Sequence, residues 1–201
     1  MNLKPNNQLK IYGLENNLIE LIQLYKKGTL PNKILLSGQK GIGKCTLAYH
    51  LINYILSTGE KFSYNLEKYT INFENKSFKL IQNNTNPNFT LIDILPDKKM
   101  IEISQIRNLI IDMNKSSFNQ KPRFILIDNI DHLNKNSVNA LLKTLEEPPE
   151  YLKFIFATTE VNKIPITVLS RCQRFDLMRI SFDELLNFLK KVLSTEKKNI
   201  N

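Results

Sequence analysis

Short apolar runs alternate along this chain with segments whose apolar residues recur at helical spacing. The strand-like runs are residues 33–37, 89–95, 124–128, 153–159 and 175–177, and the helix-like segments are 14–25, 45–56, 103–116, 136–147 and 164–170. Apolar strands that alternate with amphipathic helices are typical of a mostly parallel sheet covered on both faces. We therefore predict an α/β fold with a mostly parallel, five-stranded sheet sandwiched by helices.

Residues 57–90 interrupt this alternation. The segment is polar and rich in Asn, and its pattern indicates an excursion from the sheet with one short hairpin. From residue 182 onward a helical pattern begins and then gives way to Lys and Asn. We assign no chemistry to residues 57–90, and we expect a second domain to begin near residue 182.

The net charge of +9 admits two interpretations. Lys and Asn are abundant while Gly and Arg are few, so the charge reflects either a solvated lysine-rich surface or an attraction to nucleic acid. The two cysteines, Cys45 and Cys172, lie far apart, which argues against a disulfide framework and fits a reducing compartment. The chain has neither an apolar run of membrane-spanning length nor the apolar core of a signal peptide, so we expect a cytoplasmic protein with no membrane partner.

The segment GQKGIGKC, residues 38–45, follows a predicted strand and opens a predicted helix. A glycine-rich turn at a helix N-terminus presents backbone N–H groups to phosphate, and a lysine after it reaches the outer phosphates. The expected nucleotide-binding residues here are Gly38, Gly41, Ile42, Gly43, Lys44, Cys45 and Thr46.

Cys45 stands where a loop that holds a magnesium nucleotide places a Ser or Thr hydroxyl. A thiol is a poor ligand for Mg²⁺, which prefers oxygen. The next residue, Thr46, is rotated by about 100° around the helix, so we expect its hydroxyl to face the protein rather than the nucleotide. The loop is thus predicted to hold phosphate with a weakened grip on the metal.

The second motif is FILIDN, residues 124–129, an apolar strand that ends in Asp128 and Asn129. Asp128 fits the position from which a loop ATPase holds the magnesium-bound water. Many such ATPases place Glu next, to orient the attacking water, whereas Asn129 has no carboxylate. Asp131 lies three residues beyond Asp128 and is no simple substitute. Two defects in one site predict a weak or silent ATPase.

Three further positions carry polar chemistry. Thr159 ends a predicted strand, where its hydroxyl either senses a γ-phosphate or is structural. Arg171, in SRCQRF, is either a surface charge or an arginine finger that acts on a neighbouring subunit's site. His50 and His132 have no Cys or His at ligand spacing, so we expect no metal site around them.

The order of these motifs resembles the AAA+ clamp-loader subunits of bacterial DNA polymerase III. The resemblance rests on GQKGIGKC, on NALLKTLEEPP after ILIDN, and on ATTE followed by SRC; it covers residues 8–185 and is weakest over 57–85. It implies a P-loop AAA+ domain in residues 1–180 and the beginning of a helical lid in 181–201. The lid would be truncated and the C-terminal collar absent.

Within that family the chain is similar to two kinds of subunit. The tau/gamma motors have Thr after the loop lysine, Asp-Glu in the second motif and zinc-binding cysteines between the two. This chain departs at each point, with Cys45, Asn129 and no cysteine from residue 46 to 171. Its opening, residues 12–51, is similar to delta-prime subunits, although residues 154–177 are more similar to tau/gamma. We therefore expect a delta-prime-like stator, with a tau/gamma-like ATP-hydrolysing motor as the alternative.

The resemblance also implies a set of partners and a role for Arg171. In a stator, that arginine would complete the ATP site of the adjacent gamma-type subunit. The implied partners are the tau/gamma and delta subunits, the sliding clamp and primed DNA. The implied cofactor is ATP or ADP with Mg²⁺, held weakly or vestigially at a site that includes Asp128 and Thr159, and no zinc is expected.

Overall fold

The computed structural model describes residues 4–113 and 121–179, together with positions 182, 185, 186, 189 and 190. The strands are β1 (Lys33–Ser37), β2 (Phe89–Ile92), β3 (Arg123–Ile127), β4 (Leu152–Thr158) and β5 (Gln173–Asp176). The helices are α1 (Glu15–Lys26), α2 (Lys44–Leu56), α3 (Lys76–Gln82), α4 (Ile103–Met113), α5 (Lys135–Glu146) and α6 (Ile166–Leu169). Short 3₁₀ turns lie at Pro5–Asn7, Ile130–His132 and Val161–Lys163.

The five strands form one sheet in the order β2-β3-β4-β1-β5, and every pairing is parallel. This confirms the predicted five-stranded parallel sheet. In its register, Ile34 lies opposite Ile155 on one side and Gln173 on the other. Because all strands run the same way, the segments that follow β1, β3 and β4 emerge at one edge of the sheet, the usual place of a ligand site in an open α/β fold.

The core lies on both faces of the sheet. Consecutive strand residues point to opposite faces, so Leu36 packs with α1 and α2 while its neighbour Leu35 packs with α4, α5 and α6. In β4, Ile155 joins the first layer, and Phe154 and Phe156 join the second. Burial on both faces explains why the strands are continuous apolar runs rather than alternating ones.

The excursion contains a helix that the sequence pattern did not predict. Helix α3 is capped by Asn75, whose Oδ1 accepts a hydrogen bond from the Phe78 N–H at 2.7 Å. With seven residues it is too short for a periodic signal. The predicted hairpin corresponds to one antiparallel backbone bridge, between Asn65 and Thr70.

Two further predictions concern the last part of the chain. Strand β5 begins two residues before the predicted run at 175–177. The expected lid in 181–201 lies mostly outside the described residues, where only positions 182, 185, 186, 189 and 190 are assigned, all helical. Across the described part of the chain, no helix combines the length and the apolar character needed to cross a membrane.

Candidate functional site

The loop between β1 and α2 forms the floor of a cavity at the carboxyl edge of the sheet. Gly41 and Gly43 have φ of 81° and 98°, a region in which residues with a Cβ are strained. At Gly43 a Cβ would also lie 3.1 Å from Leu14 Cδ1. Helix α2 begins directly after this glycine, so its unpaired backbone N–H groups and positive dipole end face the loop.

The cavity has a volume of about 360 Å³ and brings together most of the predicted nucleotide-binding residues. It is lined by Pro5, Lys40, Gly41, Gly43, Lys44, Cys45, Thr46, Asp128, Asn129 and Thr159. Of the remaining predicted residues, Ile42 lines an adjoining cavity with Tyr12 and Arg179, and Gly38 lies at the start of the loop. Thr46 also lines the cavity and is half-buried, on the first turn of α2.

Lys44 is buried under the loop. Its Nζ donates hydrogen bonds to the carbonyl oxygens of Gly38 and Gln39, both at 3.0 Å. Burial lowers the pKa of its ammonium group, and the nearby carboxylate of Asp128 acts in the opposite direction. Glycine backbone without side chains, a helix N-terminus and a buried ammonium form a donor set that fits phosphate oxygens.

Cys45 and Asp128 both line the cavity, and each affects the pKa of the other. Burial raises the pKa of the Cys45 thiol well above its ordinary value, and the negative charge of Asp128 adds to this. The sulfur therefore remains a neutral thiol. Burial also raises the pKa of Asp128, whereas the neighbouring Cys45 thiol lowers it and the charge of Asp93 raises it.

These residues fit magnesium poorly at one position and adequately at others. Asp128 supplies carboxylate oxygens, and Thr46 lines the same cavity. A protonated thiol at Cys45 offers no ligand suited to a hard cation. Among the described residues, this cavity included, no group of three or more His, Cys, Asp or Glu side chains is arranged to hold a metal ion.

Asn129 has a backbone conformation that suits its residue type. Its φ of 55° and ψ of 46° lie in the left-handed region, which Asn tolerates better than most residues. Its N–H donates to Asp128 Oδ1 at 2.9 Å, and its side-chain amide donates to Asp93 Oδ1 at 2.9 Å. An amide has no basic group for the proton of an attacking water.

The nearby carboxylate of Asp131 does not replace the missing base. Its side chain is fully buried, and its Oδ1 accepts a hydrogen bond from Thr158 Oγ1 at 2.6 Å. Thr158 was not among the predicted site residues, although the Thr-Thr pair at the end of β4 is a visible signal. Strand β4 ends at Thr158, so the predicted residue Thr159 is the first beyond it, and it is exposed on the cavity wall.

Arg171 lies apart from this cavity, in the segment between α6 and β5. Its guanidinium donates to the carbonyl oxygen of Thr167 at 2.6 Å and to Glu146 Oε1 at 3.2 Å. The side chain is one-third exposed. It therefore does not act on the cavity of its own chain.

Residues 13–181 match the family described as DNA polymerase III, delta subunit. The chain is 35% identical over 199 residues to DNA polymerase III subunit gamma of Buchnera aphidicola (Schizaphis graminum), covering 98% of this chain and 52% of that protein. It is 28% identical over 193 residues to DNA polymerase III subunit tau of Escherichia coli K12, covering 96% of this chain and 29% of that protein. The chain thus spans about half or less of the length of these relatives. Their names are gamma and tau, so the relatives do not support the narrower delta-prime assignment.

Two solved structures share the fold. A gamma-subunit-related protein of DNA polymerase III from Thermotoga maritima gives a TM-score of 0.57 at 21% identity, covering 81% of this chain and 47% of that one. The RuvB Holliday junction branch migration motor of the same organism gives 0.59 at 18% identity, covering 96% and 56%. At these identities the likeness concerns the fold alone. The family match spans most of the sequence, and on that basis the chain belongs to the DNA polymerase III delta-subunit family.

Proposed function

We propose that this chain is the AAA+ module of a DNA polymerase III clamp-loader subunit that binds nucleotide, hydrolyses it weakly or not at all, and serves as a delta-prime-like stator. One observation carries the proposal. The residue after Asp128 is an asparagine whose amide is hydrogen-bonded to Asp93, so no carboxylate at that position can activate a water molecule. Asp131, the nearest alternative, is buried against Thr158.

The cavity supports nucleotide binding through phosphate contacts. The glycine loop and Lys44 would hold the phosphates of ATP or ADP, and Thr159 would border the outermost one. A bound Mg²⁺ would supply charge neutralisation between the phosphates. Because Cys45 is a neutral thiol rather than an oxygen ligand, magnesium should add little to the affinity.

The proposed action on a neighbouring subunit depends on Arg171. This side chain is one-third exposed and is bound at the surface by Glu146 and the Thr167 carbonyl, an arrangement that assembly could open. In the assembled loader it would reach the γ-phosphate of an adjacent gamma-type subunit. The other proposed partners are the tau and delta subunits, the sliding clamp and primed DNA in the cytoplasm.

A second candidate is an ATP-hydrolysing tau/gamma-like motor. It is favoured by the gamma and tau names of the relatives and by the exposure of Thr159 on the cavity wall. Nucleotide binding and turnover separate the two candidates, since a motor needs magnesium and a stator does not.

The first experiment measures binding of ATPγS to the chain by calorimetry in magnesium and in EDTA, with ATP hydrolysis followed in parallel. We expect similar affinity in both buffers, background hydrolysis, and loss of binding in Lys44→Ala. Cys45→Thr should make binding magnesium-dependent, because it restores an oxygen ligand. Magnesium-dependent hydrolysis by the wild-type chain that disappears in Lys44→Ala would support the motor instead.

The second experiment tests Arg171 in a reconstituted loader. Arg171→Ala should leave this chain folded and lower the ATPase rate of the assembly, since an arginine finger contributes roughly 10³ to 10⁵ in rate at the site it serves. Arg174→Ala is the matched control, because Arg174 is also exposed and ion-paired, with Asp176 on β5. An assembly rate unchanged by Arg171→Ala, or lowered equally by both variants, would contradict the finger assignment.

A further inference from the structure

A buried carboxylate lies behind the nucleotide-type cavity and takes no part in the function proposed above. Asp131 belongs to the 3₁₀ turn after β3, and its side chain is fully buried. One oxygen, Oδ1, accepts the hydroxyl proton of Thr158 at 2.6 Å. The other lies 3.4 Å from Nε2 of His132, whose Nδ1 faces the Lys99 carbonyl at 3.1 Å. Oδ2 is buried and accepts no hydrogen bond, so among the described residues the carboxylate is held through Oδ1, by the hydroxyl at the end of β4.

The hydroxyl of Thr158 links Asp131 to the backbone that follows β4. It donates to Asp131, and it also accepts a hydrogen bond from the Glu160 N–H at 2.9 Å. These two bonds fix the backbone on both sides of Thr159. Thr159 is itself exposed and borders the cavity together with Lys44 and Asp128. Its position on the cavity wall thus depends on a neighbour that does not touch the cavity.

A purely structural role would not require a charged group here. Burying a carboxylate costs free energy, and an amide or a hydroxyl would accept the Thr158 proton at lower cost. The carboxylate also places negative charge close to the ammonium group of Lys44, where it favours the charged form. Both effects bear on the part of the cavity that would face the outermost phosphate.

We propose that Asp131 is a positioning residue, which acts through Thr158 to hold Thr159 against the terminal phosphate and so sets the preference for a nucleoside triphosphate over a diphosphate. This inference rests on the proposed nucleotide binding. The relevant quantity is a ratio, the Kd for ADP divided by the Kd for ATPγS, because a general loss of stability changes both constants alike. A misplaced Thr159 would change only the triphosphate constant.

The test measures this ratio by calorimetry for four threonine variants of the full chain. Thr158→Val removes the hydroxyl at nearly constant volume, and we expect the ratio to fall by about threefold to tenfold, the equivalent of one hydrogen bond. Thr158→Ser should retain the wild-type ratio. Thr159→Val should lower it as Thr158→Val does. Thr90→Val, the same change at a half-buried position of β2 outside the cavity, should leave it unchanged.

The outcomes separate this inference from the proposed function. A wild-type ratio in Thr158→Val, or an equal fall in Thr158→Ser and Thr158→Val, overturns the positioning role while nucleotide binding stands. A wild-type chain that binds neither ligand overturns both. If Thr158→Val is unfolded by circular dichroism, Asp131→Asn and Asp131→Ala decide the question. The amide still accepts the Thr158 proton but removes the charge beside Lys44, so it should keep part of the preference, whereas the alanine should lose all of it. The reverse order refutes the inference.

Discussion

Acidification should destabilise this protein through one buried histidine. His50 lies in α2 with no exposed surface. Its Nδ1 is 2.8 Å from the Tyr64 hydroxyl, and its Nε2 is 3.1 Å from the Gln8 carbonyl oxygen. A carbonyl can only accept, so Nε2 carries the proton of the neutral ring, and Nδ1 accepts from Tyr64. Protonation would place a second N–H against the tyrosine inside the core.

The size of the effect follows from the pKa of His50. Burial lowers this pKa to about 4, and the hydrogen bond to the Gln8 carbonyl opposes the shift only in part. In the unfolded chain the ring titrates near pH 6.5, so between these values the unfolded state binds the additional proton. The contribution of neutral His50 is therefore complete above pH 6.5 and is lost as the pH falls towards 4. The loss is about 1 kcal/mol at pH 5.5 and about 3 kcal/mol at pH 4.

Urea unfolding of the wild type and of His50→Gln at pH 7.5, 6.5, 5.5 and 4.5 measures this contribution. Glutamine keeps hydrogen-bonding groups at the site and does not titrate, so carboxylates elsewhere, such as Asp128, affect both proteins equally. On acidification, the free energy of unfolding should fall more for the wild type than for the variant. In a parallel thermal melt, each additional kcal/mol lost should lower Tm by about 2–4 °C. Equal slopes in the two proteins would show that His50 is not held neutral, and the argument from its burial would fail.

The loop and the helix caps give two further predictions with internal controls. Gly41→Ala should lower the free energy of unfolding by about 1–2 kcal/mol, because alanine is strained in the left-handed backbone conformation. Gly43→Ala should cost more, because its Cβ would also contact Leu14. In a double-mutant cycle measured by urea unfolding, Leu14→Ala should remove this additional cost. Asn75→Ala should lower the free energy of unfolding by about 2–4 kcal/mol, because this fully buried side chain forms hydrogen bonds with Phe78, Asn53 and Phe62. Asn134→Ala removes a single helix-cap hydrogen bond and should cost about 1 kcal/mol in the same assay. Equal costs within either pair would contradict the contacts on which the comparison rests.

The sheet was predictable because its signal is local. Three strands, β1, β3 and β4, are apolar runs buried on both faces, and β2 is buried at its two ends, so composition alone identifies these four. The exception is β5, where Gln173 and Arg174 are exposed and only Phe175 is buried. Its polar first residues hid the beginning of the strand. Helix α3 was not predicted for a related reason: it is stabilised by Asn75 and the distant Asn53 rather than by a periodic pattern of apolar residues.

The sequence predicted which residues line the site but not the hydrogen bonds between them. The loop glycines and Asp128 follow from motif order, and the cavity does collect them. The link between Asp131 and Thr158 joins residues 27 positions apart on two strand ends, and such a contact depends on sheet order. No spacing rule along the chain contains that information.

The central position of β1 has a consequence for synthesis of this protein on the ribosome. Lys33 of β1 pairs with Phe154 of β4, so the strand that leads into the loop has no partner until about 120 more residues are made. At a synthesis rate of roughly 5–20 residues per second, its apolar side chains remain without their strand partner for about 6–24 s. During that interval α1 and α2 can cover only one face of the nascent strand, and the other face is available to a chaperone.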